Sequence, residues 1–185
     1  MSEGSTTDTG NPVFFGRSCC RWPAAPDWPQ MDVTALARAL LEPIPAHRTA
    51  GIQVQRAIDG TSEVVLVTPL AMTNVIGSLH SSGLVALVDA AGLAAIIAAC
   101  DTEDDIHGVA PLGAAASVDF RAPARGRLVA SCQLGQEARL ALRPVLTGEV
   151  DRARITTTAD VVDEAGVLVC RGTFQWSIRR RSDSA

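Results

Sequence analysis

Met72–Cys100 reads MTNVIGSLHSSGLVALVDAAGLAAIIAAC, a polar loop followed by an apolar helical run that holds one charged residue, Asp89. An ionised carboxylate among Leu, Val, Ile, Ala and Gly is costly unless it finds hydrogen bonds or changes protonation state. Asn74 and His80, just upstream, are the nearest polar company in the sequence. Ser81–Cys100 is twenty residues long, close to the length a bilayer requires. It is built from Ala and Gly rather than Leu and Phe, however, and a central Asp costs about 2.5–3.5 kcal/mol on the insertion scale. Asp101, Glu103, Asp104 and Asp105 follow it where basic anchors would be expected. The stretch therefore reads as a helix buried on all sides of a folded domain, and no membrane span is expected.

Outward from this helix the chain reads mostly as strand. GIQVQRAID (51–59) alternates, and after Gly60 comes the β-branched run SEVVLVTP (62–69), so Asp59-Gly60 predicts a tight hairpin. After the helix, AAASVDFRAP (114–123) and RLVASCQL (127–134) read as strands around Arg125-Gly126. QEARLALRPVL (136–146) has helical spacing but is short. DRARITTTADVVDEAG and VLVCRGTFQWSIRR form a long hairpin about Glu164-Ala165-Gly166. Upstream, VTALARALLEPIP predicts a short helix capped by Asp32 or Thr34 and stopped by Pro43 and Pro45. The organisation expected is a flexible N-terminal arm over residues 1–45 carrying that helix, a folded domain over 46–180 and a disordered tail over 181–185. The class is α+β, with a curved antiparallel sheet wrapped around one long central helix.

Composition narrows the function. The formal net charge of −4 gives no attraction to nucleic acid or an anionic membrane, and an aromatic content of 4% is too low for base-stacking platforms. Five scattered cysteines form no CxxC pair, and the three histidines do not group as ligands, so no metal is expected. Cys19-Cys20, beside Arg17 and Arg21, sits in the arm. The polar start MSEGSTTDTGNP lacks the apolar core of a secretory signal, which suits a reducing, cytoplasmic setting. His47 and His107 carry no motif.

The sequence resembles the hotdog-fold acyl-CoA thioesterases of the phenylacetate-pathway type over about residues 50–179. The resemblance rests on Asn74, His80 and Asp89 at the spacing N-x5-H-x8-D, with Gly77 between and a Leu/Ala-rich helix after. VDFRAPARGRLVASCQL looks like the family's strand, Pro-Ala turn and next strand, and DEAGVLVCRGTFQWSI fits its closing hairpin. The chain departs from the family pattern in three places. His80-Ser81-Ser82 stands where His-Gly-Gly is usual, with Gly83 one position late. The strand position that carries a Ser or Thr in many relatives falls at about Gly113. The segment around Glu137–Leu146 is longer than usual.

The resemblance implies an acyl-CoA thioesterase. Asp89 would be general base or nucleophile, facing the partner subunit's Asn74 and His80 loop across a homodimer, or a tetramer built as a dimer of dimers. The backbone amide of Ser81 would hold the thioester carbonyl at the helix N-terminus. Ser82, Gly83 and Arg121 would contact substrate, with Arg125, Arg127 and Arg179–Arg181 near the CoA phosphates. No separate cofactor is implied, since CoA is part of the substrate. Read alone, Asn74 is a natural turn residue and His80 a loop or cap histidine. A non-catalytic acyl-CoA or lipid-binding hotdog protein is the alternative, and a dehydratase or hydratase on the same fold a third.

Overall fold

Asp32 opens the first helix, α1 (Val33–Leu41), in the computed structural model, which describes residues 31–181; the Asp32 carboxylate accepts the Ala35 amide N–H at 2.9 Å. The expectations for residues 1–30, with Cys19-Cys20, and for 182–185 lie outside the described residues. Ala37 and Leu41 of α1 are buried in the same core as the long helix. Arg38 donates to the Val54 and Gln55 carbonyls (2.8 and 3.2 Å), and Thr34 exchanges hydrogen bonds with Ala57. The Pro-rich composition suggested that packing begins after residue 45; these contacts place α1 within the packed unit that starts at Met31.

Pro45, read from the sequence as a stop, also starts a helix. It is the first residue of α2 (Pro45–Ala50), where its fixed φ and missing N–H cost nothing. Gly51, at φ 71°, ends α2 and turns the chain into β1 (Gln53–Ile58). Asp59 and Gly60, at φ 48° and 64°, make the tight hairpin to β2 (Thr61–Val67), both in the left-handed region such a turn needs.

Helix α3 (Ser81–Ile97) follows a loop and fills the centre. Leu84, Leu87, Ala90, Gly92, Ile96 and Ile97 are buried on different sides of it, which explains why its apolar residues show no single stripe. A four-residue helix, α4 (Glu103–Ile106), follows, held by a capping box between Thr102 and Asp105. In the sequence this stretch reads only as an acidic cluster. Then come β3 (Val109–Phe120), β4 (Arg127–Gln133), α5 (Gln136–Leu146), β5 (Arg152–Val162) and β6 (Leu168–Arg180). The ambiguous segment is thus helical; α5 buries Ala138, Leu142, Val145 and Leu146 despite Pro144 in its last turn. Arg180 of β6 bonds the Val145 and Leu146 carbonyls there, as well as those of Asp105 and His107.

The strands form one antiparallel six-stranded sheet in the order β1-β2-β4-β5-β6-β3. It wraps α3 closely, and glycine sets the distance. A Cβ on Gly92 would come within 2.7 Å of Thr157 Oγ1 and 3.0 Å of the Trp176 ring. Ser62 of β2 donates its hydroxyl to the Ala91 carbonyl at 2.7 Å, and the Trp176 indole N–H donates to Thr157 Oγ1 at 2.8 Å. The small residues of α3 are therefore a packing requirement of the curled sheet. Among the described residues, no helix is long and apolar enough to cross a membrane.

Candidate active site

The loop before α3 is tied down residue by residue. Asn74 Oδ1 accepts the amide N–H groups of Ile76 and Ser78, each at 3.1 Å, closing an Asx turn. Gly77, at φ 69°, completes that turn, and the Gly77 and Asn74 amides are bonded within it. Ser78 is buried and its hydroxyl accepts the Ala124 N–H at 2.9 Å, while Leu79 N–H donates to the Ala124 carbonyl at 2.7 Å. Arg125 donates to the Ile76 carbonyl at 2.8 Å. The loop and the 121–126 turn therefore hold one another in place.

His80 caps α3. Its Nδ1 accepts the Ser82 amide at 3.2 Å and lies 2.8 Å from the Ser82 hydroxyl, which donates to it. Ser82 is spent on that contact. Gly83 is buried against Leu79, whose Cδ1 would stand 2.7 Å from an added Cβ, so its missing side chain is filled by protein. Ser81 is the first helical residue, and its amide N–H has no hydrogen-bond partner among the described residues. Asn74, Ser81 and Arg121, three residues singled out from the sequence, line one recess of about 330 Å3 together with Ile76, Leu84 and Phe120. Arg121 is exposed, with only a 3.9 Å approach to Asp119, whereas Arg125 and Arg180 are engaged by backbone carbonyls.

Asp89 lies nine residues into α3 from His80, about 13 Å along the axis, so the two do not meet within one chain. Its side chain is 29% exposed, on the face of α3 where Val85, Ala86 and Leu93 are also only partly buried. Oδ2 is 3.3 Å from Nε2 of His47, the third residue of α2, and His47 Nδ1 is 2.9 Å from the Leu41 carbonyl oxygen. Oδ1 has no partner among the described residues. A second recess of about 400 Å3, lined by Leu40, Leu41, Ile44, Leu93, Ile97 and Val109 among others, opens one turn beyond Asp89. Along α3 the carboxylate thus sits between a recess with polar groups and an apolar one. His47 was missed from the sequence because Pro45 was read as a stop rather than as the first residue of a helix that buries position 47. No group of three or more His, Cys, Asp or Glu gathers as for a metal among the described residues.

A long apolar helix inside a curled antiparallel sheet is the hotdog fold, as the sequence resemblance implied. The chain belongs to the family described as Domain of unknown function (DUF4442), which matches residues 34–178. Solved structures share the fold. A protein of unknown function from Pseudomonas aeruginosa, called a probable thioesterase, is 23% identical with a TM-score of 0.66, covering 80% of this chain and 96% of that one. The PaaI protein of the E. coli phenylacetic acid degradation operon is 18% identical with a TM-score of 0.56, over 80% and 95%. A hypothetical thioesterase from Streptococcus pneumoniae, solved with coenzyme A, is 16% identical with a TM-score of 0.52, over 71% and 88%. No curated protein matches the chain.

Proposed function

We propose that the chain hydrolyses acyl-CoA thioesters, with Asp89 as general base or nucleophile. The observation that carries this reading is a lone, partly exposed carboxylate on an apolar helix, its Oδ1 without a partner among the described residues, with an apolar recess opening one turn beyond it. A thioesterase needs that carboxylate and a donor for the developing oxyanion; the Ser81 amide at the positive end of α3, unpaired among the described residues, is such a donor. Since Asp89 and Ser81 of one helix are too far apart to share a carbonyl, the site pairs Asp89 of one subunit with the Asn74–Ser81 loop of another. Support for a homodimer comes from β3. It is an edge strand in which no residue is buried, and Leu112–Val118 carries neither charge nor proline to guard the edge. Arg121, in the recess with Ser81, would meet CoA phosphate. The solved thioesterase-superfamily folds, one of them with coenzyme A, support the substrate class. The free thiols Cys100, Cys132 and Cys170 suit a reducing, cytoplasmic compartment.

A second reading, an acyl-CoA or lipid binder without turnover, is favoured by the engagement of His80 and Asn74 in cap and turn. Incubation with a panel of aliphatic and aromatic acyl-CoAs separates the two. Hydrolysis releases free thiol; binding with no thiol released from any member supports the binder.

A further inference from the structure

We propose that His47 is the positioning residue for Asp89, holding Oδ2 through a hydrogen bond from Nε2 so that Oδ1 alone does the chemistry. The inference rests on the reading of Asp89 as the reacting carboxylate, and its evidence is separate from the sequence resemblance. His47 is 2% exposed. A carbonyl oxygen can only accept, so the 2.9 Å contact with Leu41 requires the hydrogen on Nδ1. Nε2 then faces Asp89 Oδ2 at 3.3 Å. A carboxylate oxygen can only accept, so this contact is a hydrogen bond when Nε2 carries a hydrogen and donates it to Oδ2.

Of the neighbouring charges, Arg48 on α2 is exposed. On α1, Arg38 is taken by the Val54 and Gln55 carbonyls, and Glu42, which follows α1, accepts the Val54 amide. Asp89 is the one acidic group within 4.0 Å of the His47 ring among the described residues. The ring is fixed from both ends: its backbone carbonyl accepts the Ile52 amide at 3.0 Å, and Nδ1 is tied to Leu41. It can therefore orient the carboxylate in the way that an outer partner orients a ligand or base.

In the general-base route, Oδ1 takes a proton from water as the water oxygen bonds to the thioester carbon and the carbonyl pair moves onto its oxygen. Collapse breaks the C–S bond, the pair leaves on sulfur, and the proton on Oδ1 passes to the thiolate. The products are the free acid and the thiol, and Nε2 keeps its proton throughout. In the nucleophilic route the same Oδ1 bonds to the thioester carbon, the C–S bond breaks with its pair on sulfur, and water then cleaves the mixed anhydride, restoring the Asp89 carboxylate while one water proton ends on the free acid and the other on the thiolate.

The test uses the full chain. His47→Gln keeps an N–H near the position of Nε2 without a titrating group, and His47→Ala removes both. Expected for His47→Ala is a kcat about 10–100-fold lower with KM changed less than about threefold. His47→Gln, which can still donate an N–H to Oδ2, should recover most of that kcat. Ring 15N NMR of the wild type should show a hydrogen on Nδ1, and the Nε2 resonance should move in Asp89→Asn. Wild-type kcat in both variants would overturn the proposal, as would an Nε2 resonance indifferent to Asp89→Asn. If His47→Ala does not fold, His47→Gln and the NMR comparison still decide. A wild type that releases no thiol removes the thioesterase reading, while the NMR arm alone decides the hydrogen bond.

Discussion

Gly172 of β6 lies directly against Val88 of α3: a Cβ at position 172 would stand 2.6 Å from Val88 Cγ1 and 2.9 Å from Cγ2. Val88 precedes Asp89, so this contact sets how deeply the helix, and with it the carboxylate, sits in the sheet. A β-branched side chain has one favoured rotamer in a helix and cannot swing away.

Gly172→Ala should therefore destabilise the fold by about 1–3 kcal/mol through overpacking. Urea denaturation measures it. Adding Val88→Ala should return part of that loss, since the new methyl then has room; a double variant no better than the sum of the two would show that the contact is not the cause.

Ser81→Pro isolates the oxyanion donor. Proline is favoured at the first helical position and removes only the amide hydrogen there. His80, at φ −61° and ψ 148°, already has the conformation that a following proline demands. The variant should fold normally, by circular dichroism and melting, and lose about 100–1000-fold in kcat for thioester hydrolysis. Turnover within a few-fold of wild type would exclude the Ser81 amide from the reaction.

The alkaline stability limit belongs to the thiols. The sequence holds no Lys and no Tyr, so few other side chains titrate between pH 9 and 12. Burial pushes Cys100 up to about 12, with Asp105 and Asp101 adding to the effect, and pushes Cys132 and Cys170 up to about 11, against 9.0 for a free thiol. Above pH 9 the unfolded chain loses these protons while the folded chain keeps them. Stability should therefore fall as pH rises from about 9 towards 11, at up to about 1.4 kcal/mol per pH unit for each thiol. Urea midpoints at pH 8, 9.5 and 10.5 test this, and Cys132→Ala should flatten the slope. At pH 8 the three thiols should resist alkylation in the native protein and react in denaturant.

The β3 edge predicts the oligomer. Wild type should elute as a dimer or a larger even assembly, and Ala116→Lys, on the exposed edge strand, should shift it towards monomer with loss of turnover. A wild-type monomer with full activity would contradict the pairing of Asp89 with another subunit's loop.

The features legible in the sequence were local ones. The apolar run with a lone Asp, the Asp59-Gly60 turn, the Asp32 cap and the last hairpin each follow from residues within one element or turn. Strand order was not legible, because β3 pairs with β6 across some sixty residues and skips β4 and β5. The His47–Asp89 contact spans 42 positions and depends on α2 packing against α3, which no spacing encodes. The N-x5-H-x8-D spacing pointed to chemistry at His80 and Asn74. Within one chain the hydrogen bonds that these side chains make are local, in the cap of α3 and the turn before it.

The most direct test of the central claim compares wild type and Asp89→Asn in release of free thiol from acyl-CoA. Asn nearly matches Asp in shape and can still bond His47, but it is neither a base nor a competent nucleophile. With the melting temperature changed little, kcat should fall about 100–10000-fold while acyl-CoA binding persists. An Asp89→Asn protein that releases thiol as fast as wild type would contradict the account.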